Sequence, residues 1–223
     1  MISLTLYHAN GFSSLGPHLL LNELQVEFTS VVMKLGSQGM EAADGSLSNA
    51  DYRKIHPSGF VPALSVDGVV ITELPAILTY IGSLASPEKG MLGADALQRA
   101  QVTQWLAWLS GTWHAQGVAM VFRSGRFSDD QSHHAAIAKK GRTNTENGFE
   151  RVNGQLAKTG HLVGDQDTVA DFALPIFLVW SKRMGIPDIN ERYPAFASFM
   201  RRMEQKRSLK EVAKAEGLET FFC

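Results

Sequence analysis

Residues 59–78 constrain the fold of this chain more than any other stretch. They read Gly59-Phe60-Val61-Pro62-Ala63-Leu64, then Ser65-Val66-Asp67-Gly68-Val69-Val70-Ile71-Thr72, then Glu73-Leu74-Pro75-Ala76-Ile77-Leu78. Pro62 pushes the residue before it into an extended conformation and has no N–H, so it cannot sit inside a central strand ladder. It suits a tight turn, a setting where X-Pro bonds also occur as cis, with the Val61 N–H and C=O bare for a ligand. Asp67-Gly68 between two apolar runs is a two-residue hairpin signal, which places strands at Ala63–Val66 and Val69–Thr72. Glu73 then stands at the mouth of an apolar helix running to about Leu84. There a carboxylate and unpaired backbone N–H groups can both meet a ligand.

The segments before residue 59 read as a βαβ unit followed by a short helix. Ile2–Tyr7 alternates apolar and polar residues as a strand does, and Asn10-Gly11 marks a turn. Ser13 and Ser14 are N-cap residues for a helix to about Leu24, with Pro17 in its first turn, where a missing N–H costs little. Glu27–Met33 reads as a second strand, parallel to the first because a helix separates them. Leu35–Ser48 is polar and Gly-rich and reads as an exposed loop, with a short helix at Ala50–Ile55 behind it.

Ala85-Ser86-Pro87-Glu88-Lys89-Gly90 reads as a linker, and beyond it every signal is helical. Residues 95–123 carry Trp105, Leu106, Leu109, Trp113 and Val118 at helical spacings. A polar helix over Asp130–Leu156 should pack antiparallel to this one, although Gly141 and Gly148 weaken its continuity. Thr168 and Asp171 have capping-box spacing and open an apolar helix to about Met184. Short helices at Pro194–Lys206 and Leu209–Ala215 follow.

The 223 residues, with a net charge of -1 and 19% charged side chains, supply no basic surplus for nucleic acid or an anionic membrane surface. No apolar run approaches the ~18 residues needed to span a bilayer, and residues 1–7 carry no signal-peptide pattern. Cys223 is the only cysteine, so no intramolecular disulfide forms and a reducing cytosol is the expected compartment. A thiol so close to a chain end is not expected to be catalytic. His133 and His134 are adjacent and cannot share a helix face, so no metal site is expected there.

Three motifs in this order, Gly59–Leu64, Glu73–Ile81 and Leu162–Leu174, resemble the glutathione S-transferases. Leu6-Tyr7-His8-Ala9-Asn10-Gly11-Phe12-Ser13-Ser14 is most similar to their bacterial beta class, with Ser13 where that class carries a Cys. The resemblance implies an α/β thioredoxin-like domain over residues 1–84, a linker over 85–94 and an all-α domain over 95–223. It also implies a cytoplasmic homodimer with the site between its two domains, glutathione as co-substrate and no metal.

Glutathione's thiolate is the nucleophile, and a hydroxyl aimed at the sulfur favours that form. Ser13, Ser14 and Tyr7 are the candidate donors, the two serines doubling as helix caps. Lowering a thiol pKa by ~2 units takes roughly 2.7 kcal/mol, within reach of one charge-assisted bond and a helix N-terminus. Ser13 cannot undergo the thiol–disulfide exchange open to a cysteine. The resemblance assigns Phe60, Val61, Pro62, Glu73, Leu74 and Lys34 to glutathione binding, with Val61 pairing strand-like with the cysteinyl backbone. Lys34 and His56 fall near the glycyl carboxylate, where both also read as surface residues. Leu74 stands where the family has Ser or Thr, so only its N–H serves the ligand.

His114 and Trp113 are assigned to the electrophile site, and Trp108, Phe122 and Trp180 read either as pocket lining or as core. The implied activity is conjugation of the thiolate to small apolar electrophiles. The same residues leave open a glutathione-dependent isomerase or peroxidase, a non-catalytic ligand-binding member, and a structural module.

Overall fold

A computed structural model describes residues 2–222; Cys223 lies outside them. Strand β1 (Leu4–His8), helix α1 (Leu15–Glu23) and strand β2 (Thr29–Gly36) form the βαβ unit, with β1 and β2 parallel. Strand β3 (Gly39–Ala42), helix α2 (Asn49–Ile55), strands β4 (Ala63–Val66) and β5 (Val69–Thr72) and helix α3 (Leu74–Ser83) follow. The sheet order is β3-β2-β1-β4-β5, and β4 runs antiparallel to both β1 and β5. This mixed sheet with helices is the expected thioredoxin-like arrangement.

The stretch after residue 34 departs from the expected loop. β2 continues to Gly36 and turns back into β3 through Gly39 at φ 126°, pairing Lys34 with Glu41. Met40 and Ala42 of β3 are buried against Met33 and Tyr52 in a small second core. Gly36 and Gly39 flank the hairpin turn, while residues 43–48, with Gly45, form a loop as expected.

Beyond a 3-10 turn at Pro87–Lys89 the chain is helical. The expected single helix over 95–123 is three joined pieces: α4 (Ala96–Trp108), a π-helical stretch (Leu109–Val118) and α5 (Ala119–Phe122). Helix α6 (His134–Thr159) runs unbroken through both glycines. A Cβ at Gly148 would lie 1.8 Å from Trp113 Nε1, and one at Gly141 would lie 2.7 Å from the Gly117 carbonyl. These glycines therefore let α6 approach the π-helical stretch closely. Trp113 fills the gap, stacked 3.8 Å from Phe177 and edge-on to Phe149, and donates its indole N–H to Thr145 O at 2.9 Å.

The Thr168–Asp171 segment forms a turn and a 3-10 helix (Asp171–Ala173) before α7 (Pro175–Arg183). Pro175 brings no N–H, so the helix restarts there rather than running on from Thr168. The expected reciprocal cap is one-sided. Asp171 accepts both the N–H and the hydroxyl of Thr168, each at 2.9 Å, and also the Leu162 N–H at 3.0 Å. Burial pushes the Asp171 carboxyl up to about 6 against those bonds.

Helices α8 (Ile189–Arg192), α9 (Pro194–Gln205) and α10 (Arg207–Ala215) complete the helical part. Helix α1 packs against α3, α7 and α10, so the sheet half and the helical half share one continuous core. Among the described residues no helix is long and apolar enough to cross a membrane.

Candidate active site

A cavity of about 530 Å³ draws its lining from both halves of the chain. The β1–α1 loop contributes Gly11 to Ser13, the turn before β4 contributes Phe60 to Pro62, and Glu73 and Leu74 come from the start of α3. The π-helical stretch contributes Ser110 and His114, and α7 contributes Trp180 and Arg183.

Ser13 precedes α1 and donates its hydroxyl to the Val61 carbonyl at 2.9 Å. The Val61–Pro62 bond is cis, and Tyr52 on α2 supports the turn by donating to the Phe60 carbonyl at 2.6 Å. Glu73 has φ 70° and ψ 122°, a left-handed conformation for a residue with a side chain. Such strain costs on the order of 1–3 kcal/mol and gathers at functional sites. Here it coincides with the cavity wall.

Ser14 does something other than capping. An N-cap side chain reaches forward from an extended backbone, but Ser14 is already helical at φ -64°, ψ -12°. Its buried hydroxyl accepts the Ala9 N–H at 3.0 Å and donates to the Ala9 carbonyl at 3.2 Å. Ser14 thus ties the loop to β1 and stays off the cavity. Tyr7 also lies off the cavity lining, its ring beside Tyr52 with centroids 5.7 Å apart. Lys34 is exposed on β2 and pairs with Glu41 at 3.6 Å. Trp113 belongs to the core described above, while Trp180 and Phe122 line the cavity.

His114 faces the cavity with its ring 5.1 Å from that of Trp180. Burial, and then the charges of Arg123 and Arg126, push it down to about 4, so it is neutral at pH 7. His56, also in the lining, is held below its ordinary value by burial, with Glu73 opposing. His56 Nδ1 and Ser110 Oγ are buried without a hydrogen-bond partner among the described residues.

The groups that hold the Ser13 loop carry no local mark in the sequence. The Gly11 N–H donates to Glu216 Oε2 at 2.8 Å, and the Gly11 carbonyl accepts from Arg183 Nη1 at 2.7 Å. A Cβ at Gly11 would lie 2.2 Å from Arg183 Nη2. His18 Nδ1 lies 2.8 Å from Glu216 Oε1, while His8 Nδ1, at 3.6 Å, is beyond hydrogen-bond reach. Burial works to raise the Glu216 carboxyl, but the bonds from His18 and Gly11, with His8 close by, outweigh it and hold the group below its ordinary value. No local pattern marks Glu216, because its partners are remote in sequence.

A hydroxyl beside a helix N-terminus, bonded to the peptide edge of a cis-proline turn, and a carboxylate in the same cavity lining give this thioredoxin-like fold its candidate site. Residues 13–84 match the glutathione S-transferase N-terminal domain and residues 114–206 the C-terminal domain. The chain belongs to the glutathione S-transferase family. It is 30% identical over 219 residues to glutathione S-transferase GST-4.5 of Xanthomonas campestris pv. campestris, covering 96% of this chain and 98% of that one. A bacterial beta class glutathione S-transferase of Sphingomonas chungbukensis matches with a TM-score of 0.80 and 29% identity over 96% of this chain and 99% of its own. A sphingomonad glutathione S-transferase in complex with glutathione matches with the same score, identity and coverage.

Proposed function

We propose that the protein binds reduced glutathione in this cavity and conjugates its thiolate to a small, largely apolar electrophile, with Ser13 as the sulfur contact. The observation that carries the reading is the 2.9 Å bond between the Ser13 hydroxyl and the Val61 carbonyl. It supports the reading because a hydroxyl able to donate to sulfur lies against the peptide edge that would hold the cysteinyl backbone. A peptide N–H arriving at the Val61 carbonyl competes for it, and the displaced Ser13 hydroxyl turns to the sulfur. Glu73 meets the γ-glutamyl ammonium, the Leu74 N–H its carboxylate, and Phe60 and His56 flank the glycyl end.

Conjugation then needs little from the protein beyond proximity and thiolate stabilisation. In a displacement, the sulfur forms the new S–C bond, the leaving group departs with its electron pair, and the thiol proton goes to solvent. Neutral His114, Trp180 and Phe122 wall the electrophile. The working form is a cytoplasmic two-fold homodimer, for which exposed Val69 on β5 and Leu97 on α4 offer apolar surface.

Titration with glutathione, followed by turnover of a chlorodinitrobenzene, tests the reading. Saturable binding and glutathione-dependent turnover are expected. Absence of binding at millimolar glutathione overturns it. Sedimentation velocity tests the dimer.

A further inference from the structure

Arg123 and Arg126 follow α5 and both line the cavity. Their guanidinium carbons lie 4.6 and 4.3 Å from the centre of the Phe60 ring, so two like charges share one aromatic ring. Among the described residues neither guanidinium has a carboxylate partner. The influences that lower Arg123 are burial and Arg126, with no acidic group among them. Arg183, by contrast, is committed to the Gly11 carbonyl and feels Glu216. Among the described residues the cavity lining holds Arg123, Arg126 and Arg183 against Glu73 as its one carboxylate, and its two histidines are both shifted toward the neutral form.

Two guanidiniums brought together at a partly desolvated wall repel each other, and an anion between them removes that penalty. The planar fork of each donor set suits a carboxylate, which it can grip in bidentate fashion. The same lining also holds the apolar Phe122, Ala119 and Trp180 and the ring of His114, on which both arginine charges act.

Building on the function proposed above, we propose that the second substrate is an acid, an apolar electrophile bearing a carboxylate that Arg123 and Arg126 bind. The aromatic and aliphatic wall takes the body of the molecule. The arginines anchor its far end and present the electrophilic carbon to the sulfur.

The test compares a chloronitrobenzoate with its methyl ester at saturating glutathione. Wild-type kcat/KM is expected to favour the acid, and the KM for the acid, unlike that for the ester, to rise with ionic strength. In the Arg123→Gln/Arg126→Gln double variant the acid-to-ester ratio of kcat/KM is expected to fall at least about tenfold, the scale of a lost charge-assisted pair. Arg123→Lys/Arg126→Lys, which keeps the charge, should recover part of the ratio. This variant also separates a lost anchor from a lost fold. An unaltered ratio in the double Gln variant overturns the proposal. So does a raised glutathione KM with that ratio unaltered, because the arginines then serve the glycyl carboxylate of glutathione. If wild type fails to bind glutathione at all, the underlying function is what has failed.

Discussion

The Ser13 hydroxyl and the Val61 carbonyl are hydrogen-bonded to each other at 2.9 Å, so the donor proposed for the sulfur and the acceptor proposed for the peptide satisfy one another. On the function proposed above, binding would exchange one bond for two, and the hydroxyl would be aimed only once the peptide has docked.

Ser13→Ala is expected to raise the pKa of the bound glutathione thiol by about one unit or more and to lower turnover at pH 7 at least about tenfold. Glutathione affinity should change far less, since Val61 and Glu73 remain. Thiolate absorbance of the bound peptide as a function of pH measures the first effect and steady-state kinetics the second. An unchanged thiol pKa removes Ser13 from the role.

Ser13→Cys is expected to form a mixed disulfide when exposed to oxidised glutathione. The thiolate introduced by the substitution attacks one sulfur of the disulfide, and reduced glutathione leaves with the electron pair. Intact-mass analysis before and after a reductant checks this. Failure to form the adduct would mean that residue 13 does not face the bound sulfur.

Leu74 begins α3 at the position where the resemblance led to the expectation of a hydroxyl residue. Leu74→Ser is expected to tighten glutathione binding by about 1 kcal/mol, roughly fivefold. Leu74 also packs against the main core, so the same change should lower thermal stability. Calorimetric titration and a melting curve read the two effects separately.

How much of this was legible in the residues depended on how local each determinant is. The cis-proline turn and the β4–β5 hairpin rest on neighbours in sequence, Val61 before Pro62 and Asp67 before Gly68, and both form where those pairs place them. Ser14 and Trp113 show the opposite. A serine before a helix reads as a cap, yet whether its hydroxyl points forward depends on how the loop leaves β1. An aromatic beside a site histidine reads as pocket lining, yet Gly148 on α6 opens the slot that draws Trp113 into the core. Glu216 and Arg183 were beyond reach for the same reason, since their meaning comes from Gly11.

Gly148 and Gly154 sit on the same helix with opposite surroundings. A Cβ at Gly148 meets the Trp113 ring, whereas at Gly154 nothing lies within 4 Å. Gly148→Ala is expected to destabilise the protein by roughly 2–3 kcal/mol through overpacking, with a shift in tryptophan emission. Gly154→Ala should stabilise it by up to about 1 kcal/mol by helix propensity alone. Urea unfolding of the pair gives both signs in one experiment.

Two titrations follow from the surroundings of buried groups, burial itself for His114 and hydrogen bonds that outweigh burial for Glu216. His114, pushed down to about 4, should show no protonation between pH 5 and 8, so no limb of the kcat/KM profile near its ordinary 6.5 belongs to it. An NMR titration of its ring checks this. Glu216 is held below its ordinary 4.5, so its contribution to stability is complete above that value and declines as pH falls through the lowered one. Glu216→Gln should therefore be less stable than wild type at pH 7, with the gap narrowing in acid.

The loop that carries Ser13 receives its fixing bond from a carboxylate 205 residues further along the chain. During synthesis the thioredoxin-like half emerges first and can pair all of its strands, yet the Gly11 N–H lacks that acceptor until α10 has left the ribosome and docked on α1. The last of the bonds that hold this loop therefore forms only when the helical half has docked. Loss of the segment that carries Glu216 would take that acceptor from the Gly11 N–H and leave every strand paired.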